Sequence, residues 1–221
     1  DGETGVVEET LPLETQGSFA YGGAADANGN FWVIDFGTPI GGMGKGKGMG
    51  GWGSLVRADY ETLEVSHYSL PPGGAYGITV DGEGRPFVCS SSVSRFNLDT
   101  STWDEAAEYS GGGGCMYDGM GRVWHGGFGN GGGKGGATIF GFNTETLELE
   151  VELTVPEYTH GVSIDVAGNV WGVTMSGSQA YKVDPETNDL ETFTGLIGAY
   201  TYSDMTGVGL AGAGGGGTPA G

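Results

Sequence analysis

Three histidines stand out among the side chains of this 221-residue chain that could move a proton: His67, His125 and His160. His160 lies in the run Tyr-Thr-His160-Gly-Val-Ser-Ile-Asp165, and His125 follows Trp124. Either could serve as a general base if held near a substrate C–H or a water molecule. Tyr21 and Tyr76 each stand five residues before an aspartate, the position His160 holds relative to Asp165, so all three can face one ligand. Lys45, Lys47 and Lys134 sit in glycine runs and could close over an anionic group or a glycan. No histidine falls in a recognisable zinc spacing. Asp26, Asn28 and Asn30 imitate the first ligands of a calcium loop, but Phe31 stands where that loop needs glycine, and Gly37 where it needs a bidentate glutamate. Gly46 to Gly51 fits a dinucleotide fingerprint, yet it neither follows a parallel strand nor opens a helix. The expected metal set is none, with a divalent cation, Mg²⁺ or Ca²⁺, as the alternative.

What must position these residues is read from composition first. The formal charge is −20, with 28 acidic and 8 basic residues. A polyanion repels phosphate backbones, which disfavours nucleic acid as a partner. No apolar run approaches the length of a membrane span. Of the 221 residues 49 are glycine, while five Trp, ten Tyr and nine Phe supply large apolar side chains for an interior. Cys89 and Cys115 can form one disulfide or remain small buried thiols.

The glycines have a pattern. The unit Asp-x-x-Gly-(Asn/Arg)-x-(Trp/Phe) occurs at Asp26/Gly29, Asp81/Gly84, Asp118/Gly121 and Asp165/Gly168, with a degraded copy at Asp204/Gly207. Successive aspartates are 55, 37, 47 and 39 residues apart, close to the period of propeller blades. The aspartate can accept bonds from amides just ahead of it, glycine closes the turn at positive φ, and the aromatic enters the layer between sheets. A second unit, (Asp/Asn)-x-x-Thr, follows in phase at Asp59, Asn97, Asn143 and Asp184. Two hairpins per repeat make four strands, or one blade.

The expected fold is therefore an all-β propeller with four-stranded antiparallel blades at about 19–70, 75–110, 113–155 and 159–195. A fifth, composite blade joins 199–210 with 1–13, in which Val6 to Leu13 forms an outermost strand and Ala199 to Asp204 an innermost one. Residues 211–221 form a Gly-rich tail. On this plan Tyr21, Tyr76, Gly113, His160 and Ala199 line one mouth of the ring, below the lysine loops.

The innermost-strand sequences Tyr76-Gly-Ile-Thr-Val-Asp81 and His160-Gly-Val-Ser-Ile-Asp165, with the following Gly-Asn-x-Trp and Val-Asp-Pro-Glu-Thr, resemble the repeat of the streptogramin B lyase family and its NHL-type relatives. The resemblance covers nearly the whole chain. It implies a propeller and, for the lyase itself, opening of a cyclic depsipeptide by elimination with Mg²⁺ held by glutamates and a histidine base. None of the three histidines here lies in a Glu-x-His pair, and the lyase ring has seven blades. The expectation is accordingly a secreted or cell-surface module, extracellular or periplasmic, that binds a protein partner or a polysaccharide. A metal-dependent lyase or lactone hydrolase, with His160 or His125 as base, is the first alternative. A structural subunit that self-assembles through its incomplete blade is the second.

Overall fold

In a computed structural model, residues 3–17, 19–39, 53–106, 111–127, 137–175 and 177–201 are described. Their strands run, in order, β1 (Thr15–Gln16), β2 (Ala20–Ala25), β3 (Phe31–Asp35), β4 (Thr38–Pro39), β5 (Ser54–Ala58), β6 (Val65–Ser69), β7 (Gly77–Val80), β8 (Pro86–Cys89), β9 (Val93–Asn97), β10 (Thr102–Glu105), β11 (Gly111–Tyr117), β12 (Arg122–Gly127), β13 (Ala137–Asn143), β14 (Leu149–Val155), β15 (Thr159–Ile164), β16 (Val170–Thr174), β17 (Gly177–Val183) and β18 (Leu190–Ala199). Four antiparallel sheets of four strands result: β2-β3-β5-β6, β7-β8-β9-β10, β11-β12-β13-β14 and β15-β16-β17-β18. β1 and β4 form a small separate pair. The described residues contain no helix.

The first hairpin of each sheet is organised by its aspartate. Asp26 Oδ1 accepts the amides of Asn28 and Asn30 at 2.9 and 3.0 Å, and Oδ2 accepts Trp32 Nε1 at 3.1 Å. Asp118 repeats this with Met120, Arg122 and Trp124, and Asp165 with Ala167, Asn169 and Trp171. In the second sheet Phe87 replaces tryptophan, and Arg85 Nε bonds Asp81 Oδ2 instead, at 2.7 Å. Gly29, Gly84, Gly121 and Gly168 hold φ of 83°, 80°, 100° and 86°, a region most side chains avoid. The second hairpins turn on Asp59, Asn97, Asn143 and Asp184, whose side-chain oxygens accept amides two and three residues on. Each of these turns closes four residues later on a non-glycine left-handed residue: Leu63, Ser101, Leu147 and Asn188, at φ 55–62°.

The core lies between sheets. Trp32, Ile34 and Leu55 of the first sheet pack on Ile78, Val88 and Phe96 of the second. Phe87, Cys89 and Val93 pack on Cys115, Val123, Phe140 and Phe142 of the third. Met116, Trp124, Ile139 and Leu153 pack on Val162, Ile164, Val170 and Tyr181 of the fourth. Each such side chain contributes about 1.5–3 kcal/mol through removal from water. Cys89 on β8 and Cys115 on β11 are disulfide-bonded with Cα atoms 6.0 Å apart, which staples the second sheet to the third.

The chain ends differ from expectation. Residues 5–14 run without strand structure, so Val6 to Leu13 is not an outermost strand. Its Glu8, Glu9 and Glu14 leave little apolar surface to bury along this stretch. Ala199 closes the outermost strand β18 rather than opening an innermost one. Asp204, Gly207 and the Gly-rich tail lie outside the described residues.

Candidate functional site

The innermost strands β2, β7, β11 and β15 begin at the same end of the molecule, and their first residues meet there. Tyr21 and Tyr76 approach with ring centroids 5.0 Å apart, and Tyr76 and His160 with centroids 4.9 Å apart. Tyr21, Tyr76 and His160, which the repeat places at equivalent positions of three sheets, are thus one cluster. The structure adds four aromatics. Tyr200 stacks on His160 at 5.4 Å, Tyr158 meets its edge at 5.7 Å, and Phe19 and Phe36 pack around Tyr21. Phe19 and Tyr158 each lie two residues before a repeat residue, Tyr21 and His160, but just ahead of β2 and β15, whose register shifts at Ala20/Gly22 and Thr159/Gly161 break the simple alternation that would have marked them. Tyr200 adjoins Ala199, the position expected to match Tyr21 in the composite blade.

Hydrogen bonds fix the protons of this cluster. The Tyr158 hydroxyl donates to the Gly112 carbonyl at 2.6 Å, so toward His160 Nδ1, 2.7 Å away, it can only accept. Nδ1 therefore carries the imidazole proton, and Nε2 accepts from the Tyr76 hydroxyl at 2.5 Å. With its proton committed, Tyr76 accepts from the Tyr200 hydroxyl at 3.0 Å. Burial lowers the His160 pKa, which keeps the ring neutral. Burial also pushes Tyr158 up to about 12 and lifts Tyr76 well above the ordinary phenol range. Both phenols stay protonated at any physiological pH.

His125 is elsewhere in function if near in space. It is fully buried on β12, opposite Cys115, with Nε2 donating to the Gly113 carbonyl at 3.2 Å. Burial drives its pKa down to about 4. A base sealed from solvent has no route to a substrate, so His125 does not share the mouth with His160. Gly113 itself, at φ 110°, lets the third and fourth sheets touch: a Cβ there would stand 2.3 Å from the His160 carbonyl oxygen. Lys45, Lys47 and Lys134 lie outside the described residues. Asp26, Asp81, Asp118 and Asp165 are engaged in their turns at the opposite end.

The Mg²⁺ implied by the lyase resemblance would need a cluster of oxygen donors. Among the described residues no group of three or more His, Cys, Asp or Glu side chains is placed to hold a metal ion. His160 is flanked by tyrosines rather than carboxylates, a poor set for a hard cation. The residues described do not fit that ion.

A second concavity, of about 350 Å³, opens between the turns of the second and third sheets. Its charges are mutually matched: Arg85 pairs with Asp81 and Glu145, and Arg122 with Glu150. Arg95 reaches across to the carbonyls of Thr144 and Glu145. This set reads as a clamp between blades.

No family model matches this chain, and no curated protein matches it. Solved structures do. A streptogramin B lyase structure aligns at TM-score 0.58 and 17% identity, over 78% of this chain and 53% of the other. This chain thus spans about half the length of that lyase. A structure of a nidogen/laminin complex aligns at TM-score 0.63 and 14% identity, over 86% of this chain and 70% of the other. The extracellular domain of a one-component system from B. thetaiotaomicron aligns at TM-score 0.57 and 16% identity, over 84% of this chain and 27% of the other. At such identities the likeness establishes the fold. The chain is similar in architecture to the β-propellers of streptogramin B lyase and of the NHL type.

Proposed function

We propose that this chain is an extracytoplasmic binding module, and that a protein partner or a polysaccharide docks on the aromatic end of its innermost strands. The observation that carries the reading is the convergence of Tyr21, Tyr76 and His160, from three different sheets, with Tyr200 into one neutral aromatic surface. Both nitrogens of His160 are held by tyrosine hydroxyls, which suits a contact surface better than a poised base. The Cys89–Cys115 disulfide supports an oxidising compartment. The similar structures include extracellular domains. No helix among the described residues is long and apolar enough to cross a membrane.

The test is a screen of the chain on peptide and oligosaccharide arrays, repeated with Tyr21→Leu and Tyr200→Leu. Binding that weakens in both variants supports the reading; binding that ignores both overturns it. The competing reading, a metal-dependent lyase or hydrolase using His160, is separated by thermal shift with Mg²⁺, Mn²⁺ and Ca²⁺. A large ion-specific shift would favour the enzyme.

A second reading, assembly into a larger structure, is favoured by β18. This ten-residue outer edge strand has one charged residue, Glu191, and opens at Gly195–Gly198 into a bulge that leaves Ile197 98% exposed. Long, weakly charged edges template pairing with further strands. Light scattering across a concentration series tests it, and a strict monomer throughout ends it.

A further inference from the structure

Resting on the reading of β18 as an assembly edge, we infer that its partner is a second copy of this chain. Two β18 strands pair antiparallel about a two-fold axis at Thr192, which joins two four-stranded sheets into one continuous sheet.

The backbone calls for a strand and sets the phase of its pairing. β18 is the last strand of its sheet and is hydrogen-bonded on one side to β17. The register runs Val183↔Leu190, Lys182↔Glu191, Tyr181↔Thr192, Ala180↔Phe193 and Gln179↔Thr194. The hairpin closes with the Asp184 amide donating to the Asp189 carbonyl at 3.0 Å. Bonded and non-bonded pairs alternate along an antiparallel ladder. Counting from Asp189, Glu191 and Phe193 bond toward β17, whereas Leu190, Thr192 and Thr194 turn their N–H and C=O groups outward. Such a row is satisfied by another strand.

Among the outer strands of the four sheets, β18 is the least defended. β10 carries Asp104 and Glu105, β14 carries Glu150 and Glu152, and β6 is half-buried over four of its five residues. Every residue from Leu190 to Gly198 is exposed, and the one charge, Glu191, is paired with Lys182 at 2.8 Å. Charged side chains are a usual means of keeping edges apart.

Self-complementarity selects the second copy. Read against itself in reverse, Leu190–Thr194 closes on Thr192: Leu190 faces Thr194 of the other copy, Glu191 faces Phe193, and Thr192 faces Thr192. Outward residues meet only outward residues, and each such pair exchanges two backbone bonds. A shift of two residues one way sets Glu191 opposite Glu191, a like-charge pair. The same shift the other way runs the match into Gly195, where the strand leaves its ladder at φ 98°. In the register that remains, Phe193, 43% exposed and stacked on Trp171 at 5.2 Å, lies diagonal to Phe193 of the second copy, within reach for aromatic rings. The excursion after Thr194 brings Leu196 and Ile197 beside the second copy's Leu190. The net charge of −20 opposes the meeting of two copies, so salt strengthens this dimer, where it would loosen a contact driven by charge.

The experiment is sedimentation equilibrium of the purified chain across a concentration series, with NaCl raised from about 0.05 to about 0.5 M, joined to amide hydrogen exchange by NMR at both ends of the series. The expected result is a dimer that tightens with salt. The Leu190, Thr192 and Thr194 amides gain protection with concentration, while Glu191 and Phe193, already bonded to β17, do not change. Thr192→Pro removes both bonds of the central pair yet suits the unpaired edge, because the amide it deletes faces outward. It should weaken dimerisation by about tenfold or more. Should that variant fail to fold, the exchange pattern of the unaltered chain carries the test. A dimer that survives Thr192→Pro, loosens in salt, or protects amides elsewhere than on β18 overturns the inference and leaves assembly standing. A strict monomer at every concentration and salt overturns both.

Discussion

The sealed histidine makes the stability of this chain depend on acid in a calculable way. His125 is fully buried, and its pKa in the folded chain is about 4, against an ordinary value near 6.5. The neutral ring is the form that folds, and the unfolded chain takes up a proton below pH 6.5 that the folded chain refuses. The contribution of the neutral ring is therefore complete above about pH 7 and lost as pH falls from 6.5 toward 4, at close to 1.4 kcal/mol per pH unit in the middle of that window. At pH 4.5 the loss from this one residue is about 2.5 kcal/mol. Urea unfolding at half-unit steps from pH 8 to 4.5 measures it, with His125→Gln as the reference in which only this proton is removed. Carboxylates common to both chains cancel in the difference. The unaltered chain should lose stability relative to the variant as the solution is acidified. A one-dimensional titration of the imidazole signals is the companion measurement if the variant does not fold: His125 should stay neutral at pH 5. Identical pH dependence in the two chains, or a His125 signal that titrates near 6.5, refutes the reasoning.

Other perturbations have their own expected sizes. Asp118→Ala strips acceptors from the Met120 and Arg122 amides and from the buried Trp124 indole, and should cost about 3 kcal/mol or more in urea unfolding. Reducing the Cys89–Cys115 bond frees a separation of 26 residues, which the chain-entropy relation values at about 3.5 kcal/mol; unfolding with and without reductant reads it directly. Gly113→Ala combines a φ of 110° with a methyl 2.3 Å from the His160 oxygen and should destabilise by about 3 kcal/mol. Gly119→Ala, at φ 77° in open space, should cost only about 1 kcal/mol, and urea unfolding of the two glycine variants side by side checks the contrast.

Much of the architecture was legible because each hairpin is a local event. Asp26, Asp118 and Asp165 carry their turns within six residues, so the repeat Asp-x-x-Gly announces them without reference to the rest of the chain. The sequence did not announce the indole bond that returns from Trp32, Trp124 and Trp171 to the same carboxylates, since it depends on the ring swinging back across the strand. Nor did it mark Leu63 and Leu147 as left-handed, for leucine seldom is; the turn's hydrogen bonds impose that conformation. At the site, Tyr21, Tyr76 and His160 were readable by their shared offset from the repeat aspartate. Tyr158 and Tyr200 escaped notice, because their roles rest on a hydroxyl reaching Gly112 and on a ring reached only after the long strand β18. The N-terminal strand was inferred from the turn unit Asp1-Gly-Glu-Thr4 alone, and among the described residues Val6 to Leu13 pairs with no neighbouring strand.

The staple between the second and third sheets also has a mechanical meaning. A chain drawn out by its two ends transmits tension through Cys89 and Cys115, bypassing everything between them. At about 3.5 Å of reach per residue, a separation of 26 residues withholds roughly 90 Å of contour length until the bond is reduced. Stretched in an oxidising medium the molecule stops short; stretched beside a thiol it lengthens by one further step, which makes its extension a gauge of the redox state around it.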